Sequence, residues 1–225
     1  TFVADDGNNA DHYTSSHAEQ ADELARFIEE NHGAFLTNKV YFDAFKRDNS
    51  GTYPDVRKRI SELLKKGQLL INYTGHGNTT AWSDEYVWTQ TDILQSTYTK
   101  LPIWVTATCG FTRLAHMRRI PSVKWQYLGR AAGESVFLNA KSGGIALFTT
   151  TRVVVSSGNS ALNKELYRNL FERESDGRAR TLGEAMMETK RKLSGINKLN
   201  FILIGDPALR ISYPEYKAQV TAVNG

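Results

Sequence analysis

A single cysteine in 225 residues excludes an internal disulfide and any metal centre built from several thiolates. It leaves the redox compartment open. No apolar run approaches the roughly 20 residues that a membrane-spanning helix needs. No secretory leader opens the chain either, because Thr1-Phe2-Val3-Ala4 reads as the middle of a strand. We therefore expect a processed or excised piece of a longer protein, for which a missing leader says nothing about location. Internal repeats and low-complexity tracts are absent. One window also lacks acids: no Asp or Glu lies between Asp92 and Glu134, while Lys100, Arg113, Arg118, Arg119, Lys124 and Arg130 accompany Cys109 there. A solvated basic loop is the bland reading. The functional one is a positive field that favours thiolate and attracts anionic groups. The formal net charge of +4 is too small to argue for nucleic acid.

The rest is ordinary for a globular chain, with 40% hydrophobic and 23% charged residues and a mean hydropathy of −0.43, which suits one α/β domain with a sizeable core. Two matched stretches stand out. Gly67-Gln-Leu-Leu-Ile-Asn-Tyr-Thr-Gly-His76-Gly77 and Leu101-Pro-Ile-Trp-Val-Thr-Ala-Thr-Cys109-Gly110 are each a short apolar run of the kind buried on both faces of a sheet. One ends in an imidazole, the other in the only thiol. In an open parallel sheet, ligands sit beyond the carboxyl ends of the strands.

The remaining pattern alternates. Phe2 to Gly7 reads as a first strand ending in Asp5 and Asp6. A capping box at Ser16-x-x-Glu19 then starts a helix that runs to about Asn31. A second strand covers Lys39 to Phe45, and Pro54 opens a helix with Val56, Ile60, Leu63 and Leu64 on one face. Thr79 to Gln90 reads as irregular. A short helix follows at 91–96, and Phe111 to Gly129 as a long basic loop without periodicity. A helix near 131–140, a strand over Gly143 to Thr149, a helix marked by Leu162, Leu166 and Leu170, one capped by Thr181-x-x-Glu184, and a strand over Asn200 to Ile204 complete the order. The tail from Ser212 reads as a linker. Alternating strands and helices predict a parallel sheet with helices on both faces, without fixing the strand order.

The pair His76 and Cys109 suits acyl transfer. A free thiol is only a few per cent ionised at neutral pH, and an imidazole partner takes its proton and later protonates the leaving amine. Gly77 and Gly110 leave the backbone beside each group open, so the N–H groups of Gly77 and Cys109 are the expected oxyanion donors. Asp5 and Asp6 are candidates to orient the imidazole. An inert buried cysteine and a turn histidine are the alternative. Gly75-His-Gly77-Asn-Thr-Thr80 begins like a dinucleotide fingerprint, but Thr80 stands where the third glycine belongs. A metal site from His12, His17, His76 and nearby acids finds no support in their spacing.

At these residues the sequence resembles the gingipain-type cysteine peptidases, which have a caspase-like fold. The resemblance rests on Asn72-Tyr-Thr-Gly-His76-Gly77 with Thr80-Ala-Trp82, on the Cys109 segment, on Gly205-Asp-Pro-Ala-Leu209 and on Phe2-Val-Ala-Asp-Asp-Gly7. It implies a three-layer α/β/α domain over residues 1–211, a mainly parallel six-stranded sheet of order 2-1-3-4-5-6, a preceding subdomain, and a linker over 212–225. Three segments are more similar to the signal peptidase of type IX secretion, the PorU sortase: Thr108-Cys109-x-Phe111-x-Arg113, Ala132-Gly-Glu134, and Ala146 to Arg152 running on to Ser156-Ser157. That branch implies a bacterial cell-surface enzyme that removes C-terminal secretion signals from cargo. It also implies transfer of the acyl group to an amine on lipopolysaccharide, with other outer-membrane secretion components as partners. The secreted gingipains, with a broader substrate range, and a non-catalytic module of the same fold are the alternatives.

Carried over, Cys109 is the nucleophile, His76 the general base and acid, Gly77 with Cys109 the oxyanion hole, and Asp6 the acid that polarises histidine, with Asp5 in reserve. Trp82 and Asp11 fall at substrate-binding positions; a packing role for Trp82 is the other reading. Arg113 belongs to the basic window beside the thiol. No cofactor is required for the chemistry, a structural calcium ion fits the resemblance, and no metal takes part. Leu114-Ala-His-Met-Arg-Arg119 departs from the sortase pattern in lacking acids.

Overall fold

In the computed structural model, which describes residues 1–7, 17–114, 117–120 and 123–213, the three-residue strand β1 (Phe2–Ala4) lies between two partners. These are β2 (Lys39–Tyr41) on one side and β3 (Leu70–Thr74) on the other. The sheet continues through β4 (Ile103–Ala107), β5 (Ala146–Thr150) and β6 (Phe201–Ile204), giving the expected order 2-1-3-4-5-6. All neighbours are parallel except β5 and β6. The chain leaves β1 for β2 and then returns to its other side, so the direction of winding reverses between β1 and β3. A crevice opens above such a reversal.

Helices α1 (His17–Asn31), α2 (Pro54–Lys66), α3 (Gln90–Gln95), α4 (Ala132–Leu138), α5 (Ser156–Phe171), α6 (Leu182–Lys192) and the single turn α7 (Asn197–Asn200) connect the strands. Alternation along each strand sends side chains into two cores. Phe2, Ala4, Ile103, Val105 and Ala107 pack against Leu24 and Ile28 of α1, Leu162 and Leu166 of α5 and Leu182 of α6. Val3, Ile71, Tyr73, Trp104 and Leu147 pack against Val56, Ile60 and Leu63 of α2, Ile93 of α3 and Val136 of α4. All five residues of β3, of β4 and of β5 are buried, which is why those segments read as unbroken apolar runs.

Several boundaries differ from expectation for local reasons. β2 ends at Tyr41 because β1 offers it only three residues, and Phe42–Ala44 turns into a 3-10 helix instead. β5 begins at Ala146, since the carbonyl of Gly143 is engaged by the Tyr98 hydroxyl and the Trp104 indole N–H at 2.8 and 3.0 Å. The expected irregular stretch before α3 holds a two-residue ribbon, Ala81–Trp82 against Trp88–Thr89. The expected loop after Phe111 contains a hairpin, Met117–Ile120 against Val123–Tyr127. α3 starts one residue early, on a capping box formed by Thr89 and Asp92. Both hydrogen bonds of the box expected at Thr181 and Glu184 are formed. The tail still packs at Tyr213, whose hydroxyl donates to the Phe171 carbonyl at 2.7 Å. Ser16, Asp11, His12 and residues 214–225 lie outside the described residues.

Candidate active site

Register sets the site. Thr74 of β3 is paired with Ala107 of β4. His76 and Cys109 therefore each follow by two residues from one level of the sheet. The Gly75 N–H donating to the Ala107 carbonyl at 3.4 Å keeps the two exits together for one step more.

The imidazole side is held chiefly by side chains, with a backbone hydrogen bond at the His76 carbonyl. The backbone N–H of His76 donates to Asp5 Oδ2 at 2.9 Å, and its carbonyl accepts from the Tyr73 hydroxyl at 2.6 Å and from the Ser83 N–H at 2.9 Å. Asp5 is buried, and Gly75 makes room for it: a Cβ on Gly75 would lie 2.3 Å from the Asp5 Cβ. Burial raises the Asp5 carboxyl to about 7; the hydrogen bond from His76 opposes the rise and Asp6 adds to it. Beneath the loop, Tyr73 stacks on Trp82 with ring centroids 4.4 Å apart, and Trp82 meets Trp104 and Phe111.

The thiol side is held by backbone. Gly110 N–H donates to the Arg152 carbonyl and Thr112 N–H to the Thr150 carbonyl, both at 3.0 Å. The Thr150 hydroxyl donates to the Thr108 carbonyl. Below, Thr149 Oγ1 accepts from the Thr106 hydroxyl at 2.7 Å and is hydrogen-bonded to Thr112 Oγ1 at 2.8 Å, a buried seam joining β4, β5 and the segment after the thiol. Cys109 is half-buried, its Sγ 3.6 Å from the Val154 carbonyl oxygen. It lines a cavity of about 310 Å³ with Gly77, Arg113 and Arg152. Among the described residues neither the Gly77 N–H nor the Cys109 N–H donates to a protein acceptor. The two loops touch: a Cβ on Gly77 would come within 2.6 Å of Thr108 Oγ1.

Three expectations change. Asp6 Oδ2 accepts from the Tyr53 hydroxyl at 2.6 Å, and it is Asp5, one residue nearer the strand, that accepts the His76 backbone N–H. Trp82 is fully buried in the aromatic stack and presents no open face to a substrate. His17, first residue of α1, comes to His76 although the two are 59 positions apart in the chain, with ring centroids 5.0 Å apart. Arg152 joins Arg113 at the thiol cavity; its place at the end of β5, level with the other strand exits, is the signal that finds it. Asp11 lies outside the described residues.

Oxygens of Asp5, Asp6 and Glu85 lie within 4.8 Å of one another. Among the described residues Asp6 Oδ1 is buried with no hydrogen-bond partner, and Glu85 pairs with Arg47 at 2.6 Å. Three carboxylates suit a hard cation, and calcium takes six to eight oxygens.

The family model described as Peptidase family C25 matches residues 1–212. Among solved structures, the Arg-specific cysteine proteinase gingipain R (RgpB) is similar at 22% identity and TM-score 0.67, over 94% of this chain and 46% of that one. The complex of Porphyromonas gingivalis RgpB pro- and mature domains is similar at 21% and 0.65, over 94% and 47%. A protease structure follows at 13% and 0.64, over 99% and 50%. At these identities the likeness concerns the fold, and the chain spans about half the length of the structures it matches. No curated protein matches the sequence.

Proposed function

Because the chain belongs to peptidase family C25, we propose that it is the catalytic unit of a cysteine endopeptidase acting on protein substrates, with Cys109 as nucleophile and His76 as general base and acid. One observation carries the reading: Thr74 and Ala107 are paired in parallel strands, so the segments carrying His76 and Cys109 leave the sheet side by side, and Gly77 and Cys109 line one cavity.

Cys109 Sγ attacks the scissile carbonyl carbon while its proton passes to the His76 ring. The developing oxyanion accepts hydrogen bonds from the N–H groups of Gly77 and Cys109. Such donors are each worth roughly 10²–10³ in rate. His76 returns the proton to the leaving amine as the C–N bond breaks, and the acyl group remains as a thioester on Cys109. Water or an amine then attacks the thioester, His76 takes the attacking group's proton, and the thiol is restored. Asp5 fixes the His76 backbone from a buried position.

Arg113 and Arg152 beside the thiol favour an anionic group on the substrate or acceptor, and like charge disfavours an arginine side chain on that side. This supports the finer reading: removal of C-terminal signals from type IX secretion cargo at the cell surface, with the acyl group passed to an amine on anionic lipopolysaccharide. A structural calcium ion would be held by Asp5, Asp6 and Glu85, where it would neutralise clustered carboxylates.

Cys109→Ala and His76→Ala should each abolish peptide cleavage while leaving the circular dichroism spectrum unchanged. Alkylation by iodoacetamide should proceed well below pH 8 and slow when His76 is removed. A wild-type thiol as unreactive as a simple buried cysteine would overturn the assignment. A panel of peptidyl chloromethyl ketones reports side-chain preference; preference for basic over acidic residues would sink the role given to Arg113 and Arg152.

A further inference from the structure

We propose that Asp5, His17 and His76 form a binding site for a divalent transition-metal ion of the zinc type, and that the ion, by occupying the His76 ring, switches the thiol chemistry off. The second half rests on the peptidase reading given above; the first does not.

The donors come from three separate elements. Asp5 follows β1, His17 opens α1 and His76 follows β3. No local sequence spacing joins them; the return of the chain to both sides of β1 does. One carboxylate oxygen and one ring nitrogen from each histidine lie within 4.8 Å of one another, with His17 Nδ1 and Asp5 Oδ2 at 3.9 Å. Tetrahedral zinc, with bonds of about 2.0–2.2 Å to such atoms, sets its ligands roughly 3.3–3.5 Å apart. The three atoms thus need to close by about an ångström, within reach of small side-chain rotations. The two imidazoles meet edge to face at 78°. They are therefore not stacked face to face, an arrangement that would aim their nitrogens along parallel lines.

The chemistry of the set selects the ion. Two imidazoles and one carboxylate are the ligands of three-coordinate protein zinc sites that leave the fourth position to water. Calcium and magnesium prefer oxygen alone. The surroundings favour a dication: the Asp5 side chain is 3% exposed and that of His17 12%, and the carboxylates of Asp6 and Glu85 lie within 4.8 Å of that of Asp5. The hydrogen bond from the His76 backbone orients Asp5 from outside the ligand set, the support that metal ligands commonly have. Metal binding asks for the same His76 ring that the thiol needs as its base. The two uses exclude each other.

The decisive measurement uses the Cys109→Ala protein, which has no thiol to bind zinc. Titration with zinc chloride by calorimetry, with stoichiometry from equilibrium dialysis, should give one ion per chain at micromolar affinity. Calcium chloride, which can share Asp5 but finds no ligand in the two imidazoles, should weaken zinc binding without abolishing it. The double variant Cys109→Ala/His17→Gln, which loses a ligand outright, should bind at least about 10-fold more weakly, since loss of a residue that only supports a ligand already costs that much. Should that variant fold poorly, NMR of the Cys109→Ala protein serves instead: zinc should shift the ring resonances of both His17 and His76. No zinc binding by Cys109→Ala, or unshifted His17 resonances, overturns the site. In wild type, zinc should inhibit peptide cleavage, and His17→Gln should raise the half-inhibiting concentration at least about 10-fold against its own metal-free rate. Binding without any cleavage by wild type would fault the peptidase reading and leave the site standing. Cleavage with no zinc binding would do the reverse.

Discussion

The two strand exits that meet at the crevice are built from opposite materials. The loop carrying His76 is fixed by side chains: a buried carboxylate on its N–H, a phenol on its carbonyl and a stacked tyrosine–tryptophan pair beneath. The loop carrying Cys109 is fixed by main-chain hydrogen bonds to the end of β5 and by neutral threonine hydroxyls. On the proposed assignment of base and nucleophile, the difference follows from what each group must do. A base needs its ring held in one orientation near a counter-charge, which only ionisable and aromatic side chains supply. A nucleophile must be approached by a bulky acyl group, so its supports stay behind it and leave the front to the cavity.

Breaking the imidazole side should therefore cost most. Asp5→Ala removes the acceptor of the His76 N–H and should lower kcat/KM by roughly 10²-fold or more, the cost of a misplaced catalytic group, while Asp6→Ala should cost under about 10-fold; equal losses would erase the distinction between the two carboxylates. Gly77→Ala pushes a methyl against Thr108 Oγ1 at 2.6 Å and the Ala81 carbonyl at 2.9 Å, displacing the N–H offered to the oxyanion. Its kcat should fall by about 10²–10³-fold with a smaller change in KM. Trp82→Ala empties the floor beneath His76, and denaturant unfolding should register a loss of about 3–5 kcal/mol. A surface-sized loss below ~1 kcal/mol would return Trp82 to the substrate side. On the thiol side, Thr149→Val unpairs the hydroxyls of Thr106 and Thr112, an expected ~1–3 kcal/mol in the same assay.

A control far from both exits is the smallest effect. Glu184 in the first turn of α6 is held at about 2 by the Thr181 N–H and the Arg178 guanidinium. A depressed carboxyl stabilises the fold above its unfolded value and loses that contribution as pH falls through the folded one. The Tm of Glu184→Gln should thus lie below wild type near pH 6 and converge with it toward pH 2, with peptide cleavage at neutral pH unaffected.

The sequence exposed what depends on neighbours in the chain. Apolar runs marked β3, β4 and β5, the Thr181–Glu184 box marked α6, and glycine beside His76 and Cys109 marked the exits. Contacts across the fold were hidden. Asp5 and Asp6 are adjacent, and only the direction each takes from β1 decides which meets His76. His17 and His76 share no periodicity, because their proximity depends on which side of β1 the chain chooses for β2 and β3. The hairpin after Phe111 left a faint mark, the alternation of Val123, Trp125 and Tyr127, beneath a basic composition that read as loop. Phe42 and Phe45 suit a strand in composition, yet β2 stops at Tyr41 because its partner strand runs out at Ala4.

The hydroxyl seam of Thr106, Thr149 and Thr112 makes the nucleophile's platform part of the sheet interior and not an appendage to it. A platform so bonded has no slack to swing toward a ligand. Adjustment to a ligand falls instead to side chains of the cavity lining, where Arg113 and Arg152 are exposed.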